Sequence, residues 1–161
     1  MQKFNPNKIE VVIGLGNPEK EFENTYHNVG IIFIDDMKGN ALTKKQKIFE
    51  VYKIGEISFV KPTHHMMNSS NRTTIAVEKH LHISDYKKYL VVHDDSDLNI
   101  GTYTFSFDGG SAGHKGIESI MDGFGTKDFW RLRIGIRDPR EKTRKKAEEF
   151  VLNKISDEHR K

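Results

Sequence analysis

Three residues able to move a proton or hold a carbonyl group stand where apolar runs give way to polar sequence: Asn17, His27 and Asp94. Asn17 follows Gly14-Leu15-Gly16, and an amide there can donate to a carbonyl oxygen while accepting from water. His27 lies in Tyr26-His27-Asn28, just ahead of an apolar stretch. Asp94 heads the acids Asp94, Asp95 and Asp97 that follow Tyr89-Leu90-Val91-Val92-His93. If the strand ends align, His27 and Asp94 face one crevice, and an aspartate bonded to one ring nitrogen leaves the other free as a base. The nucleophile-elbow pattern G-x-S-x-G is absent, so the chemistry favoured is direct attack by water rather than a covalent serine intermediate.

Other constellations carry less. Gly14-Leu15-Gly16-Asn17-Pro18-Glu19 begins like a dinucleotide fingerprint, but Glu19 holds the third glycine position and its carboxylate would repel a pyrophosphate. A tight turn explains both glycines. Eight histidines invite a metal reading, yet His64 and His65 are adjacent and point different ways, and His80 and His82 diverge on a helix. H-E-x-x-H is missing as well, so neither a metal nor a cofactor is expected. The segment Asp94 to Leu98 lacks the downstream glycine and glutamate of a calcium loop. Gly109 to Gly116 is a glycine-rich loop leading into a helix, able to offer N–H groups to a phosphate or an extended chain. Lys115 and Arg133 would add positive charge there, whereas Arg140, Lys142, Arg144, Lys145 and Lys146 read as a solvated helix face.

Strands and helices must position these groups. Lys8 to Leu15 reads as a buried first strand, and Asn24 or Thr25 can cap a helix presenting Val29, Ile32, Phe33 and Met37. Ile48 to Ile54 and Glu56 to Val60 make a hairpin about Gly55, and Asn71 to Leu81 a helix. Tyr89 to His93 is a strand stopping at the acids. Thr102 to Phe107 is a half-exposed strand, Ile117 to Met121 a short helix and Trp130 to Ile136 a last strand. A terminal helix would show Ala147, Phe150, Val151 and Ile155 on one face. This alternation predicts an α/β fold, one domain over 1–161, with a mixed, partly parallel sheet and helices on both faces. Sites in such sheets lie at the carboxyl ends of strands.

A length of 161 residues suits one domain, since domains run about 100–200 residues. There is no cysteine, which excludes disulfides, thiol nucleophiles and Cys-type zinc sites and suits a reducing, cytoplasmic setting. Twenty-six Lys and Arg against 23 Asp and Glu leave a net charge of +3, so a polyanionic partner must be met by a local patch. No membrane span is expected, because the longest nearly apolar stretch, Val29 to Ile34, falls far short of the roughly 20 residues a bilayer requires. Met1 to Lys8 lacks the apolar region of a signal peptide.

Six blocks in order resemble the bacterial-type peptidyl-tRNA hydrolase family, from about Glu10 to Leu152. They are Gly14 to Pro18, His27-Asn28-Val29-Gly30, Lys61-Pro62 with Met67-Asn68-Ser69-Ser70, His93 to Leu98, the glycine loop ending Gly113-His114, and Phe129 to Ile136. The resemblance implies cleavage of the ester joining a peptide to the 3′ ribose of tRNA, which recycles peptidyl-tRNA dropped from ribosomes. The implied partner is peptidyl-tRNA, through its 3′ end and acceptor stem, and the implied protein is a cofactor-free monomer. By position, His27 would be the general base, Asp94 would orient and charge-stabilise it, and Asn17 and Asn68 would hold the ester region and peptide backbone. The Gly113 loop would line the peptide channel, Phe22 and Met67 fall among the substrate contacts, and Arg133 matches the arginine that clamps a terminal phosphate.

Three positions depart from the family pattern. Lys115 stands in place of a usual asparagine, Phe22 replaces a tyrosine, and Thr104 replaces the lysine of the clamp. A long cation at Lys115 would oppose protonation of His27 by like-charge repulsion, or reach a phosphate and offset Thr104. The segment from Asn40 to Phe59 is shorter than usual, and the chain ends soon after Leu152, where relatives usually have a further helix over the cleft, so a more open site is expected. The alternative reading is a non-catalytic RNA-binding relative of the same fold, and a nucleotide-binding module is a third.

Overall fold

The run Val-Val-Ile-Gly forms strand β1 (Val11–Gly14), with every residue buried, as expected where a strand is covered on both faces. In the computed structural model, which describes residues 2–161, β1 lies in the middle of a seven-stranded mixed sheet. Met1, part of the segment screened for a leader, lies outside the described residues. Flanking β1 are β4 (Ile57–Pro62) and β5 (Tyr89–Asn99), both parallel to it. Outside β4 run β3 (Phe49–Ile54) and the two-residue edge strand β2 (Lys44–Lys45), each antiparallel to its neighbour. Beyond β5 come β7 (Trp130–Arg137), parallel, and β6 (Tyr103–Phe107), antiparallel, for a strand order β2-β3-β4-β1-β5-β7-β6.

Helices cover both faces. On one, α2 (Ser70–Leu81) and α3 (Lys115–Phe124) bring Val77, Ile117, Ile120 and Phe124 onto Val11, Ile13, Val60 and Val91. On the other, α1 (Val29–Met37) sets Ile34 against Val12, Leu90 and Val92, and Phe4 covers Phe105 and Trp130 where no helix reaches. Side chains as fully buried as Ile34 contribute about 1.5–3 kcal/mol each. Among the described residues no helix is long and apolar enough to cross a membrane.

Four expectations are corrected. The face that α1 buries is Gly30, Ile31 and Ile34, whereas Met37 is 45% exposed. The cause is Gly30, which rests directly on the strands: a Cβ there would stand 2.5 Å from Leu15 O. The helix turns its glycine toward the sheet, and Ile31 N donates to Leu15 O at 3.2 Å. No side chain of Asn24 or Thr25 caps α1, which is preceded by a 3-10 turn, Tyr26–Asn28.

Strand β5 does not stop at the acids but runs on to Asn99. Its last partner on β1 is the Gly14–Val92 pair, so Asp94 and Asp95 pair only with β7, at Ile134 and Gly135. The edge released by the end of β1 lets acidic side chains occupy a strand that is still laddered on its far side.

The terminal helix with one apolar face is replaced by a 3-10 turn (Ala147–Glu149), an extended segment and the short α4 (Asp157–Arg160). Main-chain groups of the extended segment find partners on the turn that carries His27. Val151 O accepts from His27 N at 2.7 Å, Asn153 O from Tyr26 N at 3.1 Å, and Asn24 O from Ile155 N at 2.8 Å. These long-range bonds replace the intrahelical ones.

Candidate active site

His27 reaches the sheet from the 3-10 turn that leads into α1. That turn is tied to the loop after β1 by Asn28, buried, whose Oδ1 accepts from Asn17 N and whose Nδ2 donates to Asn17 O, both at 2.8 Å. Asn17 Oδ1 in turn accepts from Met67 N at 2.6 Å. One asparagine thus joins three loops, and its Nδ2 has no protein partner among the described residues. Gly14 and Gly16 serve close packing here: a Cβ on Gly16 would stand 2.6 Å from the Ile31 side chain. The start of a dinucleotide fingerprint is therefore a device for bringing α1 onto the sheet.

Just past the end of β1, Asp94 meets two imidazoles. His27 Nδ1 lies 2.7 Å from its Oδ2 and His114 Nε2 lies 2.8 Å from its Oδ1. His114 also caps α3, its Nδ1 accepting from Ile117 N at 3.2 Å. In the neutral ring that bond makes Nδ1 the acceptor and Nε2 the protonated nitrogen, and in either protonation state Nε2 donates to Asp94. Likewise a carboxylate can only accept, so His27 Nδ1 carries its proton toward Asp94 and Nε2 is left as the basic nitrogen. Asp94 is only 2% exposed. Burial alone would raise its carboxyl, but the attraction of His114 and the hydrogen bonds from both rings outweigh that and hold it well below the usual carboxylate range. For His114 burial works against the charged ring, and Asp94 overcomes it, lifting the pKa above the ordinary imidazole value.

A groove of about 460 Å³ runs over these residues, lined by His27, Asp94, His114, the loop Gly109 to Gly113, Lys115 and Arg133. The loop is held from beneath by Arg131, buried, whose Nη1 donates to Gly110 O at 2.8 Å. At the groove's far wall Arg133 Nε donates to Asp95 Oδ2 at 2.6 Å. Thr104 stands directly opposite Arg133 across the β6–β7 ladder.

The residues singled out from the sequence thus fall into two groups. His27, Asp94, Gly113, Lys115 and Arg133 share the groove. Lys115 stands on its rim with 75% of its side chain exposed, and its Nζ pairs with Glu118 at 3.3 Å rather than with the site. Asn17 lines a second cavity of about 340 Å³ with Pro18, Glu19 and Lys61. Met67 is core, 3% exposed, packed on Gly116, with Asn68 exposed beside it. Phe22 is half-buried in a 3-10 turn, its carbonyl accepting from Thr25 Oγ1 at 2.8 Å. Sequence reasoning missed His114, Asn28, Arg131 and Asp95. For His114 a signal existed, a polar residue ending a glycine loop at a helix start, which is where a cap belongs.

Among the described residues, the atoms of His27, Asp94 and His114 that could ligate a metal lie within 4.8 Å of one another. The two ring nitrogens facing Asp94 are already spent as hydrogen-bond donors, so a cation would have to displace both protons.

A doubly covered mixed sheet with a groove that holds an imidazole bonded to a buried carboxylate places the protein among α/β folds that carry a polar site at the end of a central strand. Its relatives narrow the class: the chain belongs to the peptidyl-tRNA hydrolase family, whose sequence profile matches residues 11–161. It is 40% identical over 162 residues to the peptidyl-tRNA hydrolase of a Neisseria meningitidis serogroup A strain, covering 96% of this chain and 82% of that one. The Mycoplasma capricolum peptidyl-tRNA hydrolase is also 40% identical, over 157 residues, covering 93% and 82%. Among solved structures, the crystal structure of Acinetobacter baumannii peptidyl-tRNA hydrolase superimposes with a TM-score of 0.81 at 28% identity, over 95% of this chain and 80% of that one.

Proposed function

We propose that the protein hydrolyses peptidyl-tRNA, with His27 as the general base, Asp94 as the group that orients it, and no metal or cofactor. The observation carrying this reading is the His27–Asp94 bond of 2.7 Å, which leaves Nε2 of a groove-lining ring unpartnered. In the proposed reaction Nε2 takes a proton from water as the water oxygen bonds to the ester carbonyl carbon. The tetrahedral intermediate then collapses, the bond to the ribose 3′ oxygen breaks, and the imidazolium returns the proton to that oxygen. Peptide acid and tRNA leave. Throughout, the adjacent Asp94 carboxylate accepts from Nδ1 and so keeps the ring's orientation and leaves Nε2 toward the water.

Asn17 Nδ2 and the exposed Asn68 amide would hold the ester carbonyl and peptide backbone, with Phe22 and Met67 shaping that side of the site. The Gly113 loop would line the peptide's path, and Lys115 stands at its rim. Arg133 keeps two guanidinium nitrogens beyond the one on Asp95, and these suit a phosphate near the tRNA 3′ end. We further propose that the protein acts as a cytoplasmic monomer of one domain.

The test is incubation with N-blocked aminoacyl-tRNA. The wild-type protein is expected to release the blocked amino acid, and His27→Ala to lose about 10²–10⁴-fold in rate with its melting temperature retained. Tight binding without release by the wild-type protein would instead establish the non-catalytic RNA-binding reading, and an Ala variant of normal rate would remove His27 from the mechanism.

A further inference from the structure

His93 has no part in the reaction above, yet it is the most deeply placed of the three histidines around Asp94. It is 4% exposed, and its Nδ1 lies 2.8 Å from the backbone carbonyl oxygen of Asp94. A carbonyl only accepts, so Nδ1 donates and Nε2 is the unprotonated nitrogen. That Nε2 is buried with no hydrogen-bond partner.

The carbonyl that His93 holds belongs to the peptide between Asp94 and Asp95. Successive residues of a strand project to opposite faces, and these two carboxylates accordingly serve different partners. Asp94 takes His27 and His114, whereas Asp95 takes Arg133. A rotation of this one peptide would misaim both. The ladder alone secures it poorly, since β1 has already ended at the Gly14–Val92 pair and the β5–β7 register is irregular between Asp95 and Asn99.

We propose that His93 is a positioning residue, whose Nδ1–H bond to the Asp94 carbonyl fixes the Asp94–Asp95 peptide and so aims the hydrolytic carboxylate and the Arg133 phosphate clamp together. The inference rests on the hydrolase reading. It explains why an imidazole with an unpaired acceptor is kept buried against the His114 ring, centroids 5.0 Å apart, where a phenyl ring of similar size would leave no buried acceptor without a partner. Burial, reinforced by His114, pushes its pKa down to about 3, so the ring stays neutral and keeps its donor at working pH.

Two variants test it, both assayed on N-blocked aminoacyl-tRNA and by thermal melting. His93→Phe keeps the bulk and removes the donor. It is expected to fold with a melting temperature at or above wild type and to lose roughly tenfold or more in kcat, the scale expected of a misplaced catalytic group, with KM raised as well. His93→Asn keeps a donor close to the Nδ1 position and is expected to stay within about threefold of the wild-type kcat. Normal kcat in the Phe variant, equal impairment of both variants, or failure of the Phe variant to fold would each overturn the proposal. Failure of the wild-type protein to cleave would sink the hydrolase reading itself, whereas an active wild type with an equally active Phe variant sinks only the role of His93.

Discussion

His27 and Asp94, 67 residues apart, meet at 2.7 Å across the end of β1 because that strand stops at Gly14 while β5 continues. The second carboxylate oxygen faces His114, whose tautomer is set by Ile117 N. Replacing Asp94 with Asn therefore has a defined consequence. The amide oxygen must face His114, which can only donate there, so the amide NH₂ faces His27 and forces Nδ1 to accept. The proton then sits on Nε2 and the base is lost. Asp94→Asn is expected to lower kcat about 10²–10⁴-fold with KM near wild type, as measured by steady-state hydrolysis. Equal kcat values for the two proteins would contradict the orienting role.

Arg133 is expected to act in binding. One guanidinium nitrogen is engaged by Asp95 and the others are available, while Thr104, opposite it, supplies no charge. Arg133→Ala should raise KM, leave kcat close to wild type, and reduce the slope of log affinity against log salt by about 1. Thr104→Lys should do the reverse, because directly opposed residues of an antiparallel pair lie about 4.5–5.5 Å apart at Cβ and would share one phosphate. Filter binding across a salt series reads both, and an unchanged slope in Arg133→Ala would exclude a phosphate contact.

The central strands were legible in the sequence because strands buried on both faces are written as unbroken β-branched runs, as in Val11-Val12-Ile13 and Leu90-Val91-Val92. That His27 and Asp94 meet was legible because polar groups interrupt those runs, whereas Asn17, chosen on the same ground, lines a separate cavity. What was hidden depends on distant partners. The segment Val151 to Ile155 has helical periodicity, but its main chain bonds to residues 24–27. The face of α1 was misread by its large apolar residues, when the residue that sets it is Gly30. His114 and His93 acquire their roles from the carboxylate and carbonyl of one aspartate on another strand, and no local pattern encodes that.

Gly30 supplies a prediction about the scaffold. A methyl group there would meet backbone atoms of Leu15, the residue just past β1, and of Val92 on β5, which cannot yield as a flexible side chain would. Gly30→Ala should cost about 1–3 kcal/mol or more in urea unfolding. Since His27 sits three residues before it on the same turn and helix, activity should fall along with stability. A variant of wild-type stability would show that α1 can shift freely on the sheet.

Stability should peak near the ordinary imidazole value, for reasons that can be separated by mutation. Burial, then the nearby charge of His114 and, more weakly, Arg131, hold the folded His93 down to about 3 from an ordinary 6.5, against the opposing pull of Asp94. Between those values the unfolded chain binds a proton that the folded chain refuses, so this contribution is complete above pH 6.5 and is lost as pH falls toward about 3. The slope is at most about 1.4 kcal/mol per pH unit. Asp94, whose carboxyl is held low, adds a loss of the same sign below about pH 3.9. His114 acts oppositely: its pKa is raised in the folded state, so its contribution is present below the ordinary imidazole value and is lost as pH rises through the folded one. Melting temperatures from pH 4 to 8 should therefore fall on both sides of roughly pH 6.5. His93→Phe should flatten the acid side while leaving the alkaline side, and an acid side equally steep in that variant would show that another group carries the loss.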